Sequence, residues 1–252
     1  MFNLQYRCHS DIMSIFNQFY GGKKYGLQIG VTGQDNLKQH NLSVKIKDLE
    51  IISPKEHVCF IDCQGDVRPY YEGSTSLCNK VEADVVSLLL TSLNDAASKM
   101  TFKNPDVKKP SIGIITLYDD QRKMISQNVK NFRLEGFNDD NNEKLTIDTV
   151  DSFQGDERDI IILSMVRNSK SKTSNFSTNY KRINVALSRA RKLLIIVGSK
   201  KYLSNETIDV YDIQSGDSFK KETVFNTILK EIEDRGKIIN GNQLLRHKYE
   251  QF

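Results

Sequence analysis

The sequence predicts an α/β fold, a mostly parallel open sheet with helices on both of its faces. Three observations predict it. Apolar runs rich in β-branched residues recur at 58–61, 112–116, 145–150, 160–166 and 193–197. These runs are continuous rather than alternating, as strands read when both faces of a sheet are covered. Between them lie helical stretches at 80–98, 118–132, 180–191 and 219–235, and such alternation of strand and helix marks parallel βαβ units.

Length and composition fit one such unit with embellishments. The 252 residues are 38% hydrophobic, enough to bury a sizeable core. Residues 1–205 read as the main domain and 206–252 as its C-terminal helical extension. Three polar segments, 30–55, 136–144 and 168–179, are rich in Asn, Ser, Lys or Gly and read as loops or insertions with little order. No apolar run approaches the roughly 18 residues of a membrane span, and residues 1–21 lack the apolar core of a signal peptide. An intracellular protein is expected. Cys8, Cys59, Cys63 and Cys78 form no C-x-x-C pair and the histidines do not join them at metal-ligand spacing, so reduced thiols and no metal site are expected.

Charge is nearly balanced, with 36 basic and 32 acidic side chains and a net charge of +4, a weak pull on nucleic acid. Its distribution is less even. From Tyr180 to Leu203 the chain carries seven Lys and Arg residues and no carboxylate, which is either a field for phosphates or a solvated helix face. In open parallel sheets ligands sit beyond the carboxyl ends of the strands, so residues that follow each apolar run are the first candidates.

Four strings carry chemistry. The first is Arg182-Ile183-Asn184-Val185-Ala186-Leu187-Ser188-Arg189-Ala190-Arg191, running into the strand at 193–197. On a helix, Val185, Ala186 and Ala190 pack inward while Arg182 and Arg189 project from nearly one face. An arginine held this way can grip a phosphate with two donors and stabilise charge that develops during γ-phosphoryl transfer; the plainer reading is a solubilised surface helix. The second is Thr149-Val150-Asp151-Ser152-Phe153-Gln154-Gly155-Asp156-Glu157-Arg158-Asp159, a turn between strands that sets hydroxyl, amide and carboxylate groups at a rim. The third is Leu4-Gln5-Tyr6-Arg7-Cys8-His9, with Phe16-Asn17-Gln18-Phe19-Tyr20-Gly21-Gly22 behind it. The fourth, Ile112 to Arg122, puts Thr116 at a strand end beside a helix N-terminus, where a hydroxyl and free amides suit a phosphate. Equally, Thr116 is a helix cap and Tyr118 a core residue.

Together these strings resemble the second RecA-like domain of superfamily 1 nucleic-acid helicases, in the nonsense-mediated-decay and senataxin-like group. The resemblance spans roughly Leu4 to Leu203. It implies a RecA-like sheet and half of a site for ATP with Mg²⁺, shared with a first RecA-like domain in cis or on another chain. By it, Arg189 is the catalytic finger on the γ-phosphate, Arg7 a second one, and Tyr6 the platform for adenine. Gln154, Gly155 and Glu157 touch the nucleotide, while Thr116, Tyr118, Thr149, Val150 and Ser152 face the backbone of a single strand of RNA or DNA. Phe60-Ile61-Asp62, Asn79 and Glu82-Ala83 fit the family spacing and read as structural.

The chain departs from the pattern at Cys8 and Ser10, where the family has Met and Pro, and at Leu117, where it has Pro. No G-x-x-x-x-G-K-[ST] loop occurs, and no Asp-Glu metal-binding pair precedes the first string. The isolated chain is therefore expected to be inactive as an ATPase. The alternative expectation is a regulatory or nucleic-acid-binding module that keeps the helicase fold without turnover.

Overall fold

Six parallel strands form the central sheet among the residues described by the computed structural model, which are 3–20, 26–104, 106–137, 145–153, 155–169, 179–211 and 219–249. In chain order they are β1 (Val58–Asp62), β2 (Ile112–Thr116), β3 (Thr146–Thr149), β4 (Arg158–Ser164), β5 (Ala190–Gly198) and β6 (Lys237–Asn240). They lie side by side as β6-β1-β5-β4-β2-β3. The longer helices are α1 (Ser10–Phe16), α2 (Lys80–Lys103), α3 (Asp119–Asn128), α4 (Tyr180–Leu187), α5 (Val224–Arg235) and α6 (Gly241–Tyr249). This is the RecA-like α/β fold.

Two apolar layers explain why the strand runs are continuous. Phe60, Ile161, Leu163, Leu194 and Ile196 point to one face, where α1, α4 and α5 supply Ile12, Ile183 and Ile228. Cys59, Ile61, Ile160, Ile162, Ile195 and Val197 point to the other, where α2 and α6 supply Leu89, Leu93 and Leu244. Successive side chains of a strand alternate between faces, so a strand covered twice must be apolar at every position. Each such side chain stabilises the fold by about 1.5–3 kcal/mol on burial. The four cysteines are buried and unbridged, and burial pushes the thiols of Cys8 and Cys59 up to about 12. Among the described residues no helix is long and apolar enough to cross a membrane.

The structure departs from the sequence reading in three places. Segment 30–55 is ordered: a short helix at Gln34–Leu37 leads to an antiparallel hairpin of Val44–Ile46 with Leu49–Ile52. Leu42, Val44, Ile46, Ile51 and Ile52 are buried in the layer that holds α2. Polar intervening residues disguised the alternation of Leu42, Val44 and Ile46, a period-2 signal in its own right. Second, the helix expected from Phe219 begins only at Val224, because Phe219–Glu222 pairs antiparallel with Ile208–Tyr211. Third, the C-terminal segment is not helical throughout. It returns β6 to the sheet, with Ile239 in register with Ile61 of β1. Residues 138–144 and 170–178 of the other two expected loops lie outside the described residues.

A buried polar knot ties α2, α3 and β4 together. Asn79 caps α2 by accepting the Glu82 N–H at 3.3 Å. Glu82, fully buried, accepts from the Ser164 hydroxyl at 2.7 Å and from the Val166 N–H at 2.9 Å. The Gln121 amide donates to the same Ser164 hydroxyl at 3.0 Å and to the Asn79 carbonyl at 3.2 Å. Val166 holds a left-handed φ of 72°, unusual for a β-branched residue, and the Glu82 contact helps fix it. Burial pushes the Glu82 carboxyl up to about 7, against hydrogen bonds to Val166 and Ser164 that favour the anion.

An acid with a raised pKa in the fold loses stability as it ionises. The contribution is complete below about pH 4.5, is lost as pH rises to 7, and totals on the order of 3 kcal/mol. Glu82→Gln should therefore flatten the fall in unfolding free energy between pH 4.5 and 7, as read by urea denaturation, even if its absolute stability is lower. A variant profile parallel to the parent's would assign that pH dependence to other groups.

Candidate functional site

At the amino ends of β4 and β5, residues from three distant strings converge. Glu157 immediately precedes β4, and Arg189 immediately precedes β5; the Arg158 N–H donates to the Arg189 carbonyl at 3.1 Å and locks the two strand starts together. The N-terminal string reaches the same place, because the His9 N–H donates to the Arg191 carbonyl at 3.0 Å. Arg7 then lies over the cluster. Its Nε is 2.6 Å from Glu157 Oε2, and its Nη1 donates to the Ser188 carbonyl at 3.2 Å. Arg191 approaches Glu157 at 3.5 Å and Asp159 at 3.2 Å.

Arg189 is the least satisfied group there. It is 8% exposed, and its Nε has no hydrogen-bond partner. Burial, with the Arg7 charge beside it, pulls its pKa below the ordinary arginine value, while Glu157 and Asp156 push back. A buried guanidinium with a free donor, held next to a second guanidinium, is costly unless an anion completes it. The arrangement suits a phosphate.

Three details of the sequence reading are corrected. The helix of the first string stops at Leu187, so Arg189 lies in the turn between α4 and β5 and does not share a helix face with Arg182. Arg182 instead pairs with Asp151 through two contacts, of 3.0 and 2.6 Å. The arginine cluster also lies at the amino ends of the strands, not beyond their carboxyl ends. The connections force this: Glu157 and Arg189 end the loop and the turn that lead back down to β4 and β5. The basic stretch from Tyr180 to Leu203 is likewise no bare field, since Lys192 is 3.5 Å from Asp159 and Lys200 is 2.5 Å from Glu233.

Tyr6 stands beside this cluster, 56% exposed, on a short parallel pairing of Leu4–Gln5 with Gln28–Ile29. Its ring lies against Gly30 so closely that a Cβ there would come within 2.3 Å of it. Gly30 thus backs the ring and leaves the rest of it open, a form suited to stacking a flat heterocycle. The departures noted above are accommodated locally. Cys8 is buried, and its carbonyl accepts from the Gln34 amide at 2.7 Å. Ser10 uses the two donors that a proline lacks, binding Asp35 through its N–H at 2.8 Å and its hydroxyl at 2.6 Å. Gln5 accepts from the Arg7 and Cys8 N–H groups at 3.0 and 3.1 Å, which shapes the bend that aims Arg7.

Residues 1–201 match the AAA domain family. The chain belongs to that family, as a superfamily 1 helicase domain of the nonsense-mediated-decay group. It is 32% identical over 206 residues to the "ATP-dependent helicase upf1" of Schizosaccharomyces pombe, covering 81% of this chain and 20% of that protein. It is 35% identical over 206 residues to the "Putative regulator of nonsense transcripts 1" of Takifugu rubripes, with 81% of this chain and 17% of the relative covered. A "DNA replication ATP-dependent helicase/nuclease dna2" of S. pombe is 30% identical over 222 residues, 81% of this chain and 14% of that one. The helicase domain thus spans a fifth or less of the length of these relatives.

At the carboxyl ends of its strands the helicase domain places the other expected residues. Thr116 pairs in register with Thr149, and the Val150 N–H donates to the Thr116 carbonyl at 3.0 Å. Thr116, Tyr118 and Val150 are 0%, 6% and 1% exposed, so their side chains pack rather than present groups to a ligand. The Tyr118 hydroxyl accepts from Arg167 Nε at 2.6 Å. Thr149 is half-buried and Ser152 exposed, and their hydroxyls are 3.2 Å apart. Burial thus moves the weight of this edge from Thr116 and Tyr118 to Thr149 and Ser152.

The segment 150–157 runs from this edge of the helicase domain to the arginine cluster. It leaves the carboxyl end of β3 and reaches the amino end of β4, crossing the sheet face. Phe153 is its anchor, 2% exposed and so close over Gly113 that a Cβ there would come within 2.7 Å of the ring. Gly155, at a φ of 91°, makes the final turn toward Glu157. Gln154 lies outside the described residues. The sequence reading missed Arg191 and Asp156 as members of the cluster; their signal was only adjacency to Arg189 and Glu157.

Proposed function

We propose that this helicase domain supplies half of an ATP site and part of a single-strand binding surface in an ATP-dependent nucleic-acid translocase. The observation that carries the proposal is the meeting of Arg7, Arg189 and Glu157 at one edge of the sheet, with a buried guanidinium donor left unpaired. Arg7 and Arg189 complete the γ-phosphate, Tyr6 stacks on the adenine, and Gly155 and Glu157 line the nucleotide. A first RecA-like domain, in cis or on another chain, carries the phosphate loop and holds Mg²⁺, which neutralises charge on the β- and γ-oxygens.

Closure of the cleft follows from charge. With ATP bound, the arginines gain charge-assisted contacts across the gap; after hydrolysis those contacts weaken and the domains relax. Segment 150–157 joins this edge to Thr149 and Ser152, which hold the phosphates of a single strand of RNA or DNA. Backbone contacts read no sequence, as a translocating motor requires. The protein works inside the cell, where ATP and single strands are at hand. Joint presence of Arg7, Glu157 and Arg189 weighs against a module that has abandoned turnover.

The test is ATPase activity measured on this chain alone and on the protein that carries both RecA-like domains, with single-stranded RNA and DNA side by side. The chain alone should turn over negligible ATP, and the two-domain protein should be stimulated by strand. Appreciable turnover by the chain alone would overturn the shared-site reading.

A further inference from the structure

The loop that follows β1 presents two consecutive aromatic rings that the nucleotide site does not use. Tyr70 is 42% exposed and Tyr71 is 55% exposed. One exposed ring on a surface is ordinary. Here the backbone beneath both rings is pinned: the Tyr70 N–H donates to Oδ2 of buried Asp120 at 3.0 Å, and the Ser74 N–H donates to the Tyr71 carbonyl at 3.2 Å. Asp120 in turn donates its N–H to the Ser76 hydroxyl at 3.1 Å. These hydrogen bonds hold the loop backbone in place, and a loop so held has a lower ordering cost on binding.

Position and charge narrow the ligand. Asp120 lies in the first turn of α3 just beyond Thr116 of β2, and Thr116 is in register with Thr149, so the loop shares the carboxyl edge of the sheet with Thr149 and Ser152. Lys123 Nζ lies 5.3 Å from the centroid of the Tyr71 ring, and Arg68 is exposed at the start of the loop. Of the nearby carboxylates, Asp119 is taken up by Arg122 at 2.7 Å and Lys123 at 2.8 Å, while Glu72 is exposed. Lys123 is thus ion-paired, with Asp120 also 3.7 Å away, and Arg68 is the exposed cation of the loop; flat rings beside it fit a ligand that is itself flat rings on an anionic backbone.

We infer that Tyr70 and Tyr71 form a stacking step for the bases of a single strand whose phosphates pass along the Thr149 and Ser152 hydroxyls. The inference rests on the reading of this edge as strand-binding, and gives that surface the base-contacting part it otherwise lacks. Every base has a π-face, so such a step tolerates any sequence while adding affinity. A protein segment is the other occupant such rings could take, and the experiment separates the two.

The chain holds no tryptophan, so Tyr71→Trp creates a single reporter whose emission is quenched when a base stacks on it. An oligothymidylate and an abasic phosphodiester of the same length are the probes. Quenching is expected with the first and not the second. Tyr70→Ala with Tyr71→Ala should weaken oligothymidylate binding about tenfold or more and leave the abasic chain unaffected. Thr149→Ala with Ser152→Ala should weaken both probes alike, which reports on the underlying surface. If the tyrosine variant binds oligothymidylate as the parent does while the hydroxyl variant loses both probes, the stacking step is wrong and the edge survives. If neither probe binds, or the hydroxyl variant binds both as the parent does, the edge itself is wrong and the stacking step falls with it.

Discussion

Arg189→Ala, placed in the protein that carries both RecA-like domains, should lower strand-stimulated ATP turnover by about 10³-fold or more. Strand binding should persist, since Arg189 sits at the amino ends of β4 and β5 while the hydroxyls proposed to hold the strand, on Thr149 and Ser152, lie at and just beyond the carboxyl end of β3. The same substitution should leave thermal stability unchanged or raise it. The reason lies in what the fold does to this side chain: burial and the neighbouring Arg7 charge disfavour its cation, and its Nε has no partner. A structural arginine would show the opposite pattern. Turnover assays and melting curves on the same preparation decide the matter; turnover near the parent's, or a large drop in Tm that accounts for the loss, would refute the finger assignment.

Phe153→Ala should be the most damaging of the apolar changes in segment 150–157. Phe153 is buried within the layer that holds α1 and α4, its ring fills the space over Gly113, and the Arg158 guanidinium lies 5.7 Å from its centroid. Truncating a buried Phe costs about 3–5 kcal/mol. For a domain of this size that is a fall in Tm of about 10 °C or more. The functional consequence goes further, because Phe153 fastens a segment that leads from the carboxyl end of β3 to the amino end of β4. Phe153→Leu, which retains most of the volume, should keep the fold, yet strand stimulation of turnover should fall more than basal turnover does. Equal loss of the two rates in the leucine variant would mean that Phe153 packs without coupling the edges.

Much of this was legible along the chain. The five apolar runs became β1 to β5, and their lack of alternation foretold a sheet covered on both faces. The strings around Arg7, Glu157 and Arg189 were recognisable by residue type and spacing. The alternation at Leu42, Val44 and Ile46 was equally present, but polar residues around it hid a hairpin that packs on α2. Strand β6 was harder: Lys237–Asn240 holds only two apolar residues and is a strand because β1 offers it an unpaired edge.

Sequence alone determined the fold class and the identity of the groups that can do chemistry, because both depend on local patterns of polarity and on residue type. Only the tertiary structure decided where those groups face. Whether Arg182 meets a phosphate or Asp151, whether Thr116 meets a strand or the core, and which end of the sheet holds the arginines all follow from how parallel strands are connected and how closely their covering layers pack. Those are distances between residues far apart in the chain, and no local pattern encodes them.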